Sequence, residues 1–307
     1  MQLIRAIYGL ILFGLAVLVL APLQLLALVL RLRPVHVRIP ILFHKFVSRY
    51  AFGMRITVRG TPEKPNPHPL FRWPNAREVR GPVLYVSNHN SWSDIIILGS
   101  ITPLCFVAKA EVADWPGFGI LSKMQRTIFV KREDTRKAGE QAAEMLGRMD
   151  GGDAIVLFAE GTSSDGNRVL PFKSSLFAVA QMSDIRHSVP PVRIQPVSIA
   201  FTKVGGLPMG RQYRPYFAWY GDMEFGGHLW EGLMQGPADV EVTFHPPVTL
   251  AQMGNRKKLA NAVHRTVSEG LAHAITGRGI PGHNEAPANA LNDGPTATKS
   301  GDSTKAA

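Results

Sequence analysis

The stretch Val83-Leu84-Tyr85-Val86-Ser87-Asn88-His89-Asn90-Ser91-Trp92-Ser93-Asp94-Ile95-Ile96-Ile97-Leu98 changes its period partway along. Its opening residues form a short apolar, β-branched run, the pattern of a strand buried on both faces. Asn88 to Ser93 supply turn and capping chemistry, and the run from Ile95 predicts a helix that starts near Asp94. The same alternation continues downstream. Further strands are predicted over 105–108, 127–131, 154–158, 195–201 and 240–244. Between them Ala138, Ala142, Met145, Leu146 and Met149 recur at helical spacing, closed by Gly151-Gly152, and Leu259, Val263, Val267 and Leu271 mark a late helix. Apolar strands alternating with helices predict an α/β fold, a mostly parallel central sheet flanked by helices, whose ligands gather at the carboxyl ends of strands. Chemistry is therefore expected just after strands.

The chain has 307 residues, 45% of them hydrophobic, enough for one catalytic domain with material left for an anchor and a tail. Its formal charge of +11 favours anionic partners: nucleic acid, acidic lipid headgroups, nucleotide-bearing cofactors or acidic carrier proteins. Cys105 is the single cysteine, which excludes an internal disulfide and a cysteine-based metal site.

The amino terminus narrows the choice. No charged residue occurs from Ala6 to Leu30, and at about 1.5 Å rise per residue such a helix can reach across a bilayer core of roughly 30 Å. Residues 1–33 are thus expected to be a membrane-embedded helical anchor. Pro22 with Gln24 allows a kinked span or a re-entrant pair as readily as a straight helix. A cleaved signal peptide would have a shorter apolar region and a small-residue cleavage site. Arg31, Arg33, Arg38, Lys45, Arg49, Arg55 and Arg59 follow the stretch while only Arg5 precedes it, which places the catalytic domain on the cytoplasmic face and offers acidic headgroups a basic collar. A proline-rich loop is expected over 61–75. The catalytic domain is expected over 34–276, and 277–307 reads as a disordered tail.

Two constellations could carry chemistry. His89 in the turn after a strand, with Asp94 opening the next helix, is a workable general-base pair: the imidazole accepts a hydroxyl proton and the carboxylate fixes its tautomer. On one continuous helix the two would diverge by roughly 140°, so the pair needs a bend between them. The second constellation is Phe158-Ala159-Glu160-Gly161-Thr162-Ser163, followed by Pro171-Phe172-Lys173, which leaves the strand over 154–158 at the same sheet edge. Gly161 permits close backbone approach, so a local amide could face an oxyanion or a headgroup. Each admits a plainer reading: a strand-end histidine bonding backbone, a capping aspartate, an acidic turn. The tryptophans Trp92, Trp115, Trp219 and Trp230 read as core or membrane-interface side chains, and Asp134 as a helix cap.

Asn88-His89 with Asp94, Phe129-Val130-Lys131-Arg132, Glu160-Gly161-Thr162 with Pro171-Phe172-Lys173, and Ile194-Gln195-Pro196-Val197 occur in the order and spacing of the four blocks of glycerolipid acyltransferases. From about Pro82 to Phe201 the chain resembles the lysophosphatidic acid acyltransferase family. The resemblance implies that His89 is the general base and Asp94 its partner. It implies that Arg132, Glu160, Gly161 and Thr162 bind the acceptor, that Lys109 lies near the headgroup, and that Pro196 lines the acyl site. Asn88 in the first block and Lys173 in the third are placed on the substrate side. The implied reaction moves a fatty acyl group from acyl-CoA or acyl carrier protein to a lysolipid hydroxyl, read first as that of 1-acyl-glycerol-3-phosphate. It needs no metal, nucleotide cofactor or flavin, and its partners are the donor, the lysolipid and membrane lipids.

One departure matters: members with a phosphate-bearing acceptor often continue Glu-Gly-Thr with an arginine, where this chain has Ser163, although Lys109, Arg132, Arg168 or Lys173 could compensate. The stretch Gly205 to Arg211, with Trp219 to Asp222 and His228-Leu229, looks closer to lyso-ornithine lipid acyltransferases of the same family, an alternative acceptor without phosphate. A serine hydrolase would need a Gly-x-Ser-x-Gly elbow and a zinc enzyme a His-Glu-x-x-His unit, and the sequence has neither. A basic membrane-tethered binding module is the reading from outside enzymes. Nucleic acid is disfavoured because the basic residues are scattered or collared beside the anchor.

Overall fold

A computed structural model of the chain describes residues 1–65, 81–131, 138–185 and 190–277. Among the described residues eight strands build one sheet: β1 (Arg55–Arg59), β2 (Val83–Ser87), β3 (Cys105–Lys109), β4 (Ile128–Val130), β5 (Ala154–Phe158), β6 (Arg193–Val204), β7 (Leu207–Pro208) and β8 (Ala238–Phe244). They lie in the order β1-β8-β6-β2-β5-β3-β4, with β7 added to β6. The run from β6 through β2, β5 and β3 to β4 is parallel, and β8 returns antiparallel to β6. The expected α/β architecture is therefore the one that forms, and each of the six expected strands is present.

The sequence pattern concealed β1. Arg55-Ile56-Thr57-Val58-Arg59 alternates charged and apolar residues because it is a half-exposed edge strand running parallel to β8. Arg55 pairs with Asp239 at 2.5 Å and Arg59 with Glu241 at 2.9 Å across that pairing. These two cations are thus spent on the sheet edge and leave the basic collar smaller than expected. Arg31, Arg38, Lys45 and Arg49 remain exposed beside the apolar Leu32, Val35, Leu42 and Tyr50.

The helices are α1 (Gln2–Val29), α2 (Arg33–His36), α3 (Ile39–Phe46), α4 (Ser93–Gly99), α5 (Phe118–Met124), α6 (Ala138–Asp150), α7 (Ala178–Ile185), α8 (Phe225–Met234), α9 (Leu250–Met253) and α10 (Arg256–Thr276). Alternate strand residues divide between two cores. Val83, Tyr85, Val156 and Phe158 face a layer that includes Ala6 and Ala16 of α1, Ile97 of α4 and Leu233 of α8. Leu84, Val86, Ile155 and Leu157 face Leu146 of α6, Val179 of α7 and Val263 of α10. Burial on both faces explains the uninterrupted apolar character of β2 and β5, each such side chain contributing about 1.5–3 kcal/mol.

Helix α1 continues through Pro22 as one 28-residue helix. At about 1.5 Å per residue it is roughly 42 Å long. Small residues let it pack closely: a Cβ on Gly9 would lie 2.6 Å from the Ala51 carbonyl oxygen. Its other side exposes Leu3, Ile7, Leu10, Leu15, Leu18, Leu25 and Val29. It is long and apolar enough to cross a membrane, and 17% of its most apolar window is buried inside the protein. Past α1, Arg31 adopts a left-handed backbone with φ 53° and turns the chain back into α2. Residues 61–65 of the expected loop have no regular structure. The remainder of that loop, Arg132, the capping role of Asp134 and the tail beyond Gly277 lie outside the described residues.

Candidate active site

Because β2, β3 and β5 are parallel, their carboxyl ends bring Ser87, Lys109 and Phe158 to one edge of the sheet. His89 leaves that edge two residues after β2. Its Nδ1 lies 2.9 Å from Oδ2 of Asp94, which sits in the first turn of α4 and is fully buried. The bend the pair needs is made by the aspartate itself: Oδ2 also accepts the backbone N–H of Asn90 at 2.6 Å and of Ser91 at 2.9 Å. One carboxylate oxygen thus gathers three donors and folds the turn back over the start of the helix. A carboxylate accepts, so Nδ1 carries the hydrogen and Nε2 keeps its lone pair. The imidazole stacks on Phe158, with ring centroids 4.1 Å apart and planes inclined by 16°. Aspartate and phenylalanine together fix the ring, while the His89 side chain stays one-fifth exposed.

Glu160 holds this turn from the neighbouring strand. Its Oε1 accepts the His89 backbone N–H at 2.7 Å and its Oε2 that of Leu170 at 2.7 Å. Burial pushes its carboxyl up to about 8 and the charge of Asp94 adds to that, while the two N–H bonds pull it down. Both oxygens are engaged by backbone, so Glu160 positions the His89 turn from inside the protein. Two further bonds complete the clamp: Ser164 N–H donates to the His89 carbonyl at 2.8 Å and Trp219 N–H to that of Asn90 at 2.9 Å. Asn88 is likewise fully buried, its side chain bonded in both directions to the Ile199 backbone, at 2.9 and 2.8 Å. It ties β2 to β6.

The exposed groups of the third block lie beside these. Gly161 has φ +76°, and the Lys173 side chain passes so close that a Cβ on Gly161 would meet its Nζ at 2.7 Å. A side chain at Gly161 would thus be strained and would displace the lysine. Thr162, Lys109, Arg168 and Lys173 are exposed. Ser163 donates its hydroxyl to the Trp219 carbonyl and so joins the third block to the loop before α8.

An apolar cavity of about 200 Å³ is lined in part by Trp92 of the same turn and by α4, while His89 itself is not on its wall. Trp92, Ile95 and Ile96 form one wall, Phe118 and Leu121 of α5 another, and Phe13, Val17 and Leu20 of α1 a third. The anchor helix is thus part of the cavity. Around it Trp115 and Trp219 meet edge to face at 6.0 Å and both contact Phe225, which also meets Trp92. These tryptophans form a packed, half-buried cluster, and Trp92 and Trp115 also line the cavity. Pro196 does not reach the cavity: it is buried in β6, opposite Val86. The roles of Phe158 and Trp219 were missed from sequence. Phe158 had a usable signal, a large aromatic closing the strand beside the one that carries His89, whereas Trp219 is 129 residues from Asn90, the residue of the turn it holds.

The profile of the acyltransferase family matches residues 55–200. Over 244 residues the chain is 44% identical to a lyso-ornithine lipid O-acyltransferase of Brucella abortus, a match covering 80% of this chain and 85% of that protein. A protein of the same name from Rhizobium meliloti is 36% identical over 278 residues, covering 91% and 89%. A 1-acyl-sn-glycerol-3-phosphate acyltransferase of Neisseria gonorrhoeae is 33% identical over 98 residues, covering 32% and 38%. The crystal structure of the 1-acyl-sn-glycerophosphate (LPA) acyltransferase from Thermotoga maritima shares the fold, with a TM-score of 0.61 and 20% identity, over 91% of this chain and all 100% of that one. The longer and more identical sequence matches carry the ornithine name.

Proposed function

The chain belongs to the acyltransferase family and uses an acyl donor and a lysolipid acceptor, and from that premise we propose that its acceptor is a lyso-ornithine lipid, acylated on its free hydroxyl. The observation that carries the reaction is the 2.9 Å contact between His89 and Asp94, which leaves Nε2 as the base in a turn whose Trp92 lines the apolar cavity. The acceptor hydroxyl gives its proton to Nε2 and attacks the thioester carbonyl of acyl-CoA or acyl carrier protein. Asp94 stabilises the imidazolium that forms. Lys173 over Gly161, or an amide of that turn, meets the oxyanion until the thiolate leaves and recovers the proton. No enzyme nucleophile and no cofactor enters this step.

Acceptor preference follows from two features. At Ser163 a hydroxyl bonded to Trp219 replaces the arginine that would grip a phosphate. Lys109 at the sheet edge then serves the single carboxylate of an ornithine headgroup. The exposed face of α1, with the flanking Arg31, Arg38, Lys45 and Arg49, supports a membrane-bound enzyme whose catalytic domain faces the cytoplasm. In such a setting an acyl chain enters the cavity past α1 without crossing water.

The test incubates membranes containing the protein with labelled acyl donor and equal amounts of lyso-ornithine lipid, 1-acyl-glycerol-3-phosphate and other lysophospholipids. Label is expected chiefly in ornithine lipid. Predominant labelling of phosphatidic acid would overturn the acceptor assignment while leaving the His89 chemistry standing.

A further inference from the structure

The sheet edge opposite His89 holds a second and chemically different cavity. It measures about 390 Å³ and lies where β3 and β5 begin, walled by Arg33, His36, Lys64, Arg126 and Asp153. Asp153 is buried and takes Arg33 at 2.8 Å, Arg148 at 2.8 Å and Arg126 at 2.9 Å. Burial pushes its carboxyl up, but the bond to Arg148 and the charges of Arg126, Arg148 and Arg33 outweigh that and hold it below the usual range. Among the described residues this is the carboxylate that pairs with these arginines, so three guanidiniums against one carboxylate leave an excess of two positive charges. The exposed Lys64 adds another on the wall.

A purely structural clasp would balance its charges, because like charges brought together out of bulk water repel. The negative end of helix α1 offsets about half a unit at most. His36 adds no cation, since burial and the neighbouring Arg126 and Arg33 push its imidazole down. The backbone of Arg126 is left-handed, with φ +63°, a conformation that costs a non-glycine residue about 1–2 kcal/mol and is retained where it directs a guanidinium to this wall. Guanidiniums bind tetrahedral oxyanions in paired hydrogen bonds, and the space is far larger than a halide needs. Arg33 follows α1 directly, beside the exposed Leu32 and Val35, so the cavity lies at the foot of the apolar helix.

We infer that this cavity is an anion site that takes a phosphate group, either free or as the headgroup of an acidic membrane lipid. A phosphate bridging Arg33 and Arg126 would tie the segment after α1 to the turn after α5. Gln24 and Met124 line both this cavity and the apolar one, and Gln24 bonds the carbonyls of His36 and Met124 at 3.0 Å each. Anion binding therefore stiffens the wall shared with the acyl cavity.

The site is tested by binding, independently of acyl transfer. The melting temperature of the full chain in neutral detergent is measured against inorganic phosphate, with chloride at matched ionic strength as control. The same titration is repeated in vesicles of phosphatidylcholine alone and with phosphatidylglycerol. Phosphate is expected to raise the melting temperature saturably in detergent. Arg126→Gln should weaken half-saturation about tenfold or more, the loss of one charge-assisted pair. Lys64→Gln, at an exposed residue that does not touch Asp153, should weaken it about threefold and guards against misfolding of the first variant. If phosphatidylglycerol vesicles abolish the phosphate response, the lipid headgroup fills the site; if the response persists there, the free anion does. A response no larger than that of chloride, or one unchanged in both variants, would overturn the proposal.

Discussion

Replacing Asp94 with asparagine removes a charge while leaving a side chain able to keep the turn. In the native site Oδ2 holds the His89 ring at 2.9 Å and the backbone of Asn90 and Ser91 at 2.6 and 2.9 Å. The amide oxygen of the substituted side chain can accept the same three bonds. Its nitrogen would then occupy the position of Oδ1, which is buried and has no partner among the described residues. That leaves an unsatisfied donor worth about 1–3 kcal/mol, offset in part because a carboxylate need no longer be buried. The variant should therefore fold and melt within several degrees of the wild type. Catalysis should suffer far more. The imidazolium formed in the transition state loses a carboxylate in contact, and a unit charge pair at about 4 Å is worth roughly 4 kcal/mol at an effective dielectric of 20. At about 1.4 kcal/mol per tenfold, kcat should fall about 10³-fold, with the acceptor KM changed by no more than a few-fold. Initial rates in detergent micelles across acceptor concentrations separate the two parameters. A folded Asp94→Asn enzyme with kcat within threefold of wild type would refute the reasoning.

Glu160→Gln tests the clamp on the His89 turn: an amide cannot accept both backbone N–H groups, so activity should fall at least tenfold in the same assay. It also removes a titration. The folded protein holds the Glu160 proton up to about 8 against an ordinary 4.5, so that proton's contribution to stability is full below 4.5 and lost as pH rises through 8; the variant's melting temperature should vary less over that window. Gly161→Ala forces a left-handed alanine at about 1–2 kcal/mol and displaces Lys173, which predicts a melting temperature lower by a few degrees together with slower transfer. Ser163→Arg supplies a guanidinium at the third block and breaks the bond to Trp219; the product ratio from mixed acceptors should move toward phosphatidic acid, measured by lipid mass spectrometry.

What could be read from the sequence was what is local. Strands β2 and β5 are apolar throughout because both faces are covered, and His89 with Asp94 sit five residues apart in one turn. β1 escaped because an edge strand shows alternation with charged ends, and its arginines resemble a membrane collar until Asp239 and Glu241 appear beside them. Glu160 was legible as a motif but not as a clamp, since its bond to the His89 backbone spans 71 residues. Asn88 was placed on the substrate side for the same reason: its partner, Ile199, is 111 residues away. Asp153 and its arginines join residues up to 120 apart, from three elements that no single pattern links. Helix α1 was legible in length and character, whereas its contribution to the wall of the apolar cavity depends on long-range packing beside α4 and α5.

The imidazole of His89 is the group on which the proposed reaction turns, and turnover of lyso-ornithine lipid by purified His89→Ala protein measures its share. With the fold intact by circular dichroism, the rate should fall about 10²- to 10⁴-fold, the contribution of a positioned general base. Near-normal turnover on that acceptor and on every other lysolipid offered would contradict the account.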